Sequence, residues 1–154
     1  MRKANRAITD FDEIKALIDS CDTIRLGFVD GDEAYIVPLS FGFEAENGEF
    51  TFYVHGAKVG RRHTLAAKSS RVCVEADVCS GFVELEQGSQ TADYKSFIGY
   101  GDISTVTGEE AVKALTLLCR YCGFDEMGCP EAVVNSTSVE KIVVREFSAK
   151  QRFK

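Results

Sequence analysis

The chain has 154 residues, a formal net charge of −6, 45% hydrophobic and 27% charged residues, enough for one ordinary domain, residues 1–154, with a core that needs neither metal nor disulfide support. The acidic balance argues against a nucleic-acid partner, and no apolar run approaches a membrane span, so a soluble globular protein with no membrane partner is expected. The amino end, Met1 to Arg6, enters polar sequence without an apolar signal core, and the six cysteines therefore read as reduced thiols of a cytoplasmic protein.

In chain order, Thr9 or Asp10 caps a first helix whose apolar positions Phe11, Ile14, Leu17 and Ile18 recur at three- and four-residue spacing, with Glu13 placed for a capping box. Thr23 to Val29 reads as a strand, Asp30 to Asp32 as a tight turn, and Ala34 to Phe43 as its hairpin partner. Pro38 has no N–H to give a ladder, so an edge or a bulge is expected there, with backbone atoms open to a flat ligand. Asn47 and Gly48 turn the chain into an aromatic strand from Phe50 to His55, followed by a helix from about Lys58 to Lys68.

Arg71 to Val78 forms the next strand, and Cys79 to Asp93, polar and without period, reads as a mobile loop. Tyr94 to Val106 is a long strand, Gly108 to Tyr121 a helix, Cys122 to Thr137 irregular, and Ser138 to Phe147 the last strand. Many antiparallel-type strands with a few interposed helices suit a small β-barrel, whose closure protects strand edges.

The segment Phe52 to Arg62 carries the chemistry. An aromatic strand passes through Gly56 and Gly60 into a helix start with Lys58, Arg61 and Arg62. Unpaired N–H groups and the positive end of the macrodipole meet there, glycine permits close approach, and arginine forks match phosphate oxygens. The plain alternative is an exposed helix end with solvated cations. Gly56 and Gly60 are too close for a nucleotide-binding loop, and Gly99 and Gly101 lack the third glycine of a dinucleotide fingerprint. Cys119 and Cys122, followed by Cys129, have no second pair at zinc-site spacing, and no metal is expected.

Four segments, Tyr35 to Phe41, Phe52 to Arg62, Arg71 to Glu75 and Tyr94 to Gly101, stand in an order and spacing that resembles the nitroimidazole-resistance branch of the pyridoxamine 5'-phosphate oxidase-like split-barrel flavoproteins. The resemblance implies a mainly β (α+β) fold, a six-stranded antiparallel split barrel with peripheral helices, a homodimer, and a flavin at the dimer interface: FMN, or FAD. Val37, Pro38, Leu39 and Ser40 would lie against the flavin ring, Tyr53, His55 and Ala57 would line the passage to its phosphate, and Gly60, Arg61 and Arg62 would hold that phosphate. Tyr94, Lys95 and Ser96 resemble the segment that the second subunit brings near the ring. Ordinary strand packing is the bland reading of Tyr53 and Tyr94.

The carboxy-terminal arginine-histidine segment of the vitamin-oxidising enzymes is missing. The implied activity is that of a flavin-dependent oxidoreductase, which takes electrons from NAD(P)H or another donor and reduces small electron-poor compounds such as 5-nitroimidazoles. His55 is the catalytic candidate, because an imidazole can deliver a proton near neutrality; holding flavin or packing in its strand is the alternative. Two other readings stay open: a flavin-binding protein without turnover, acting as sensor or sequestering agent, and a haem-binding split barrel with His55 or His63 as axial ligand.

Overall fold

A computed structural model describes residues 4–125 and 130–153. After a 3-10 turn (Ala4–Arg6) come β1 (Ala7–Ile8), α1 (Phe11–Asp19), β2 (Ile24–Asp30), β3 (Glu33–Leu39), β4 (Gly42–Glu46) and β5 (Glu49–Ala57). Then follow α2 (Arg61–Lys68), β6 (Arg71–Glu84), β7 (Gln90–Val106), α3 (Gly108–Tyr121), α4 (Glu131–Ser136) and β8 (Thr137–Gln151).

The strands form one antiparallel sheet in the order β3-β2-β6-β7-β8-β5-β4, with β1 on the far end of β8. It curls into a split barrel, and its two edges, β3 and β4, are consecutive in sequence. The expected split-barrel class is therefore observed. Six strands run seven residues or longer, and the short β1 and β4 are added to them. Pro38 sits on edge strand β3, opposite Arg25, where a missing N–H breaks no ladder.

Alternation decides what faces inward. Ile24, Leu26 and Phe28 of β2, Phe50, Phe52 and Val54 of β5, Val72, Val74 and Ala76 of β6, and Ile142 and Val144 of β8 are buried in one core. Phe50 is the hub of its aromatic part: ring centroids of Phe11, Phe147 and Phe97 lie 4.7, 5.1 and 5.5 Å away. The Asp10 carboxylate caps α1 by accepting from the Glu13 N–H at 2.9 Å, as the capping pattern predicts. The helix then buries Ile14, Leu17 and Ile18.

Just past α1, Cys21 is buried with its thiol 3.3 Å from the Leu17 carbonyl, and burial pushes that thiol up to about 11 despite a hydrogen bond with Ser20. The Tyr121 hydroxyl, 2.5 Å from the Ile18 carbonyl and 2.8 Å from that of Cys21, ties the end of α3 to the end of α1. Gly101 lies at a β7–β8 register shift, where a Cβ would stand 2.6 Å from the Val143 carbonyl oxygen. Close strand packing accounts for this glycine.

Five boundaries differ from expectation. The region Cys79 to Asp93 is no loop: β6 and β7 continue through a bulge at Cys79/Gly81 as a two-stranded arm that turns at Glu86–Gly88. No residue of the arm is fully buried, so its sequence carries no hydrophobic alternation to read. The expected strand Ala34 to Phe43 breaks after Leu39, because Phe41 turns into the core and β4 joins the opposite edge. The helix after β5 starts at Arg61 rather than Lys58, since Gly60 has φ 106°, a conformation glycine tolerates and a helix does not use. The segment Cys122 to Thr137 contains α4, the last strand continues to Gln151, and Cys129 lies outside the described residues.

Replacement of Phe50 by Ala is expected to remove roughly 3–5 kcal/mol of stability, seen as a lower denaturant midpoint with an unchanged slope.

Candidate functional site

β5 ends at Ala57, the chain bends through Lys58 to Gly60, and α2 then closes one end of the barrel with Leu65 buried beneath it. No side chain caps the start of α2, while the Gly60 carbonyl accepts from the Thr64 N–H at 3.0 Å and the Thr64 hydroxyl at 3.1 Å. The first N–H groups of the helix therefore have neither an intrahelical acceptor nor a side-chain cap.

The three cations expected there all have acceptors within the chain. Arg61 is exposed and pairs with Asp30 at 2.9 Å and Glu33 at 3.1 Å, with its guanidinium 4.8 Å from the centre of the Tyr35 ring. Hydrogen bonds to these two carboxylates push its pKa upward. Lys58 donates to the Asn135 carbonyl. Arg62 turns into the barrel end, its side chain 11% exposed, and pairs at 2.8 Å with Glu140, whose side chain is 1% exposed. The Ser138 hydroxyl donates to the other oxygen of Glu140 at 2.7 Å, and His63 Nδ1 stands 3.4 Å from that hydroxyl. A Cβ at Gly56 would collide with the Arg62 guanidinium, so this glycine makes room for the pair.

Glu140 and Ser138 were missed by sequence reasoning, although a signal was present. Glu140 has the strand parity of Ile142 and Val144, which places a charge on the core face, where it requires a partner.

Along β3, Val37 and Leu39 are half-buried against the core, whereas Pro38 and Ser40 point outward and are exposed. This outer face continues into an apolar hollow of about 340 Å³ lined by Gly27, Val29, Ala34, Ile36 and Cys73, with Arg25 and Glu75 beside it. Val29 is 79% and Ile36 62% exposed, an apolar surface that sequence reasoning did not single out. Because Arg61 lies over Tyr35, the start of α2 stands above the beginning of β3, and Pro38 follows three residues on, roughly 10 Å along the strand.

His55 and Ala57 are exposed at the end of β5. Tyr53 shares their strand parity but not their surroundings. It is buried beneath α3 with Val106, Ala111, Ala114, Leu115 and Val139, and its hydroxyl donates to Glu44 at 2.9 Å. Burial, then the Glu44 carboxylate, push the tyrosine pKa upward. Burial also raises Glu44, but Lys113 and the Tyr53 hydroxyl outweigh it and leave that carboxyl below its usual range. Tyr53 therefore lies beneath α3 rather than beside the exposed His55 and Ala57.

Tyr94, Lys95 and Ser96 stand at the other end of the sheet. Ser96 pairs with Lys150 of β8 and His55 with Val139, eleven residues apart, roughly 36 Å. The Tyr94 ring lies 5.5 Å from the Lys150 ammonium. One chain therefore does not bring this segment to the start of α2. Among the described residues, no group of three or more His, Cys, Asp or Glu could hold a metal, and no helix is long and apolar enough to cross a membrane.

A split antiparallel barrel closed by a cationic helix is the architecture of a recognised class, and comparison with known proteins specifies it. The family model described as pyridoxamine 5'-phosphate oxidase matches residues 10–151, and the chain belongs to that family. Among solved structures, a candidate 5-nitroimidazole antibiotic resistance protein of Bacteroides thetaiotaomicron is similar with a TM-score of 0.81 at 23% identity, over 94% of this chain and 85% of that one. A flavocytochrome of Azotobacter vinelandii gives 0.76 at 18% identity, covering 100% and 72%. An FAD and haem binding protein of Mycobacterium smegmatis gives 0.82 at 14% identity, covering 97% and 74%. No curated protein matches the chain.

Tyr53→Phe is expected to cost about 1 kcal/mol in denaturant titrations. Because Glu44 is held below its ordinary 4.5, its contribution is full at neutral pH and lost as pH falls through the lowered value. The stability difference between wild type and Glu44→Gln is therefore expected to shrink on acidification.

Proposed function

We propose that this chain is a flavin-dependent oxidoreductase that reduces small, flat, electron-poor compounds such as 5-nitroimidazoles. The observation that carries the reading is the uncapped, arginine-bearing start of α2 standing over a β3 strand whose outer face is open and apolar. A flavin requires a cationic end, an apolar slot and a few polar groups between them, and Pro38 stands roughly 10 Å along β3 from Tyr35, whose ring Arg61 covers.

Gly60, Arg61 and the first N–H groups of α2 hold the phosphate, with Arg62 beneath them; Arg61 exchanges Asp30 and Glu33 for the phosphate as it does so. The outer face and backbone of Val37, Pro38, Leu39 and Ser40 support the ring, and the Ser40 hydroxyl meets its polar edge. His55 and Ala57 border the space between the two ends. Bound there, a flavin would supply the redox chemistry between NAD(P)H or an equivalent donor and the electron-poor acceptor. His55, exposed at the rim, donates a proton to the reduced acceptor.

The protein acts as a homodimer in this reading. Tyr94, Lys95 and Ser96 lie too far along β7 to serve the site of their own chain, and the exposed Val29 and Ile36 are of the kind a second copy covers. FMN is the expected flavin, with FAD as the alternative, because the first phosphate site serves both. In the haem reading, the engagement of His63 with Ser138 leaves the exposed His55 as the axial candidate.

The test is the visible spectrum of the purified protein, followed by anaerobic addition of NADH or NADPH and chromatography of the released cofactor. A flavin band that bleaches, and nitroimidazole turnover that restores it, is the expected result. A flavin band unchanged by either donor would replace the reductase by a binding protein, and a Soret band would overturn the flavin assignment. With flavin still bound, His55→Gln is expected to lower turnover at least tenfold. Unchanged turnover removes His55 from the mechanism.

A further inference from the structure

Resting on the phosphate site proposed above, we infer that Glu140 is a positioning residue for that site. Its buried carboxylate fixes Arg62, and thereby the entry of the chain into α2, so that anion affinity depends on a group that by itself repels anions.

Four contacts lead to this. Arg62 Nη1 donates to Glu140 Oε2 at 2.8 Å, Glu140 Oε1 accepts from Ser138 at 2.7 Å, Ser138 meets His63 of the same helix at 3.4 Å, and the other guanidinium nitrogen lies over Gly56, where a Cβ would not fit. The first two residues after Arg61 are thus anchored to β8 from below, while no side chain caps the helix from above. The two arginines then divide their work. Arg61 is exposed and held by two hairpin carboxylates, half-buried Asp30 and exposed Glu33, that an incoming phosphate displaces, whereas Arg62 is nearly enclosed and its partner cannot leave. A buried pair of this kind adds little net stability, but removal of one partner strands the other charge.

The sign of the effect separates positioning from simple charge. If Glu140 acted only through its charge, Glu140→Gln would strengthen phosphate binding by removing a nearby negative group. Positioning has the opposite consequence. The experiment is titration of the apoprotein with FMN and with riboflavin, which lacks the phosphate, using flavin fluorescence, for wild type, Glu140→Gln and the double variant Arg62→Met with Glu140→Met.

The expected result is that wild type prefers FMN, and that Glu140→Gln lowers FMN affinity roughly tenfold or more while leaving riboflavin affinity unchanged. The double variant, with an apolar pair in place of the ionic one, is expected to keep the fold and near-wild-type thermal stability, yet still to lack the preference for FMN. Wild-type or tighter FMN binding by Glu140→Gln, or a wild-type preference in the folded double variant, overturns the inference and leaves the phosphate site standing. Equal affinity of wild type for FMN and riboflavin overturns the phosphate site and this inference together.

Discussion

The structure depends on β8, which is hydrogen-bonded along both edges, to β7 on one side and to β5 and β1 on the other. A strand paired on both sides cannot slip by one residue without moving every side chain to the wrong face. That constraint fixes Ile142 and Val144 in the core and brings Ser138 and Glu140 to the barrel end where α2 sits. The split between β3 and β4 is tolerable because the double pairing of β8 carries the closed part of the barrel. It leaves β3 as an edge with one open face.

The cationic helix start is only as positive as its neighbours allow. Asp30 and Glu33 reach Arg61 from the β2–β3 turn, and Glu140 holds Arg62 from β8, so the local charge is much closer to balance than the sequence segment suggests. For the proposed phosphate site, discrimination among anions would then rest on geometry, on forks and N–H groups held at fixed angles, more than on field strength. In the proposed reading such a site would favour a ligand with a second anchoring end over a bare ion, with the apolar outer face of β3 as the second anchor.

Much of the fold was legible because its elements carry strong periodic patterns. The Asp10 cap, the helix from Gly108 to Tyr121 and the inward faces of β2 and β5 follow directly from spacing. The arm beyond Cys79 was not legible, since backbone pairing alone builds it and no buried face leaves a mark on the sequence. The burial of Tyr53 was not legible for a related reason: parity places it opposite Phe52, but only the docking of α3 turns that outer face into a second interior. The motif from Gly60 to Arg62 was legible as a cluster but not in its orientation. Adjacent residues on a helix diverge by about 100°, and which arginine enters the barrel is decided by the seat of Leu65 and by Glu140.

The thiol of Cys21 gives this fold an internal clock. It is 5% exposed, hydrogen-bonded at the end of α1 and held in its protonated form, with a pKa near 11, whereas Cys79 lies open on the arm. A thiol reagent at neutral pH meets Cys79 as a surface group but reaches Cys21 only when α1 lifts from the barrel. The lag between the two modifications reads out how often that lifting occurs, without any probe being added to the chain.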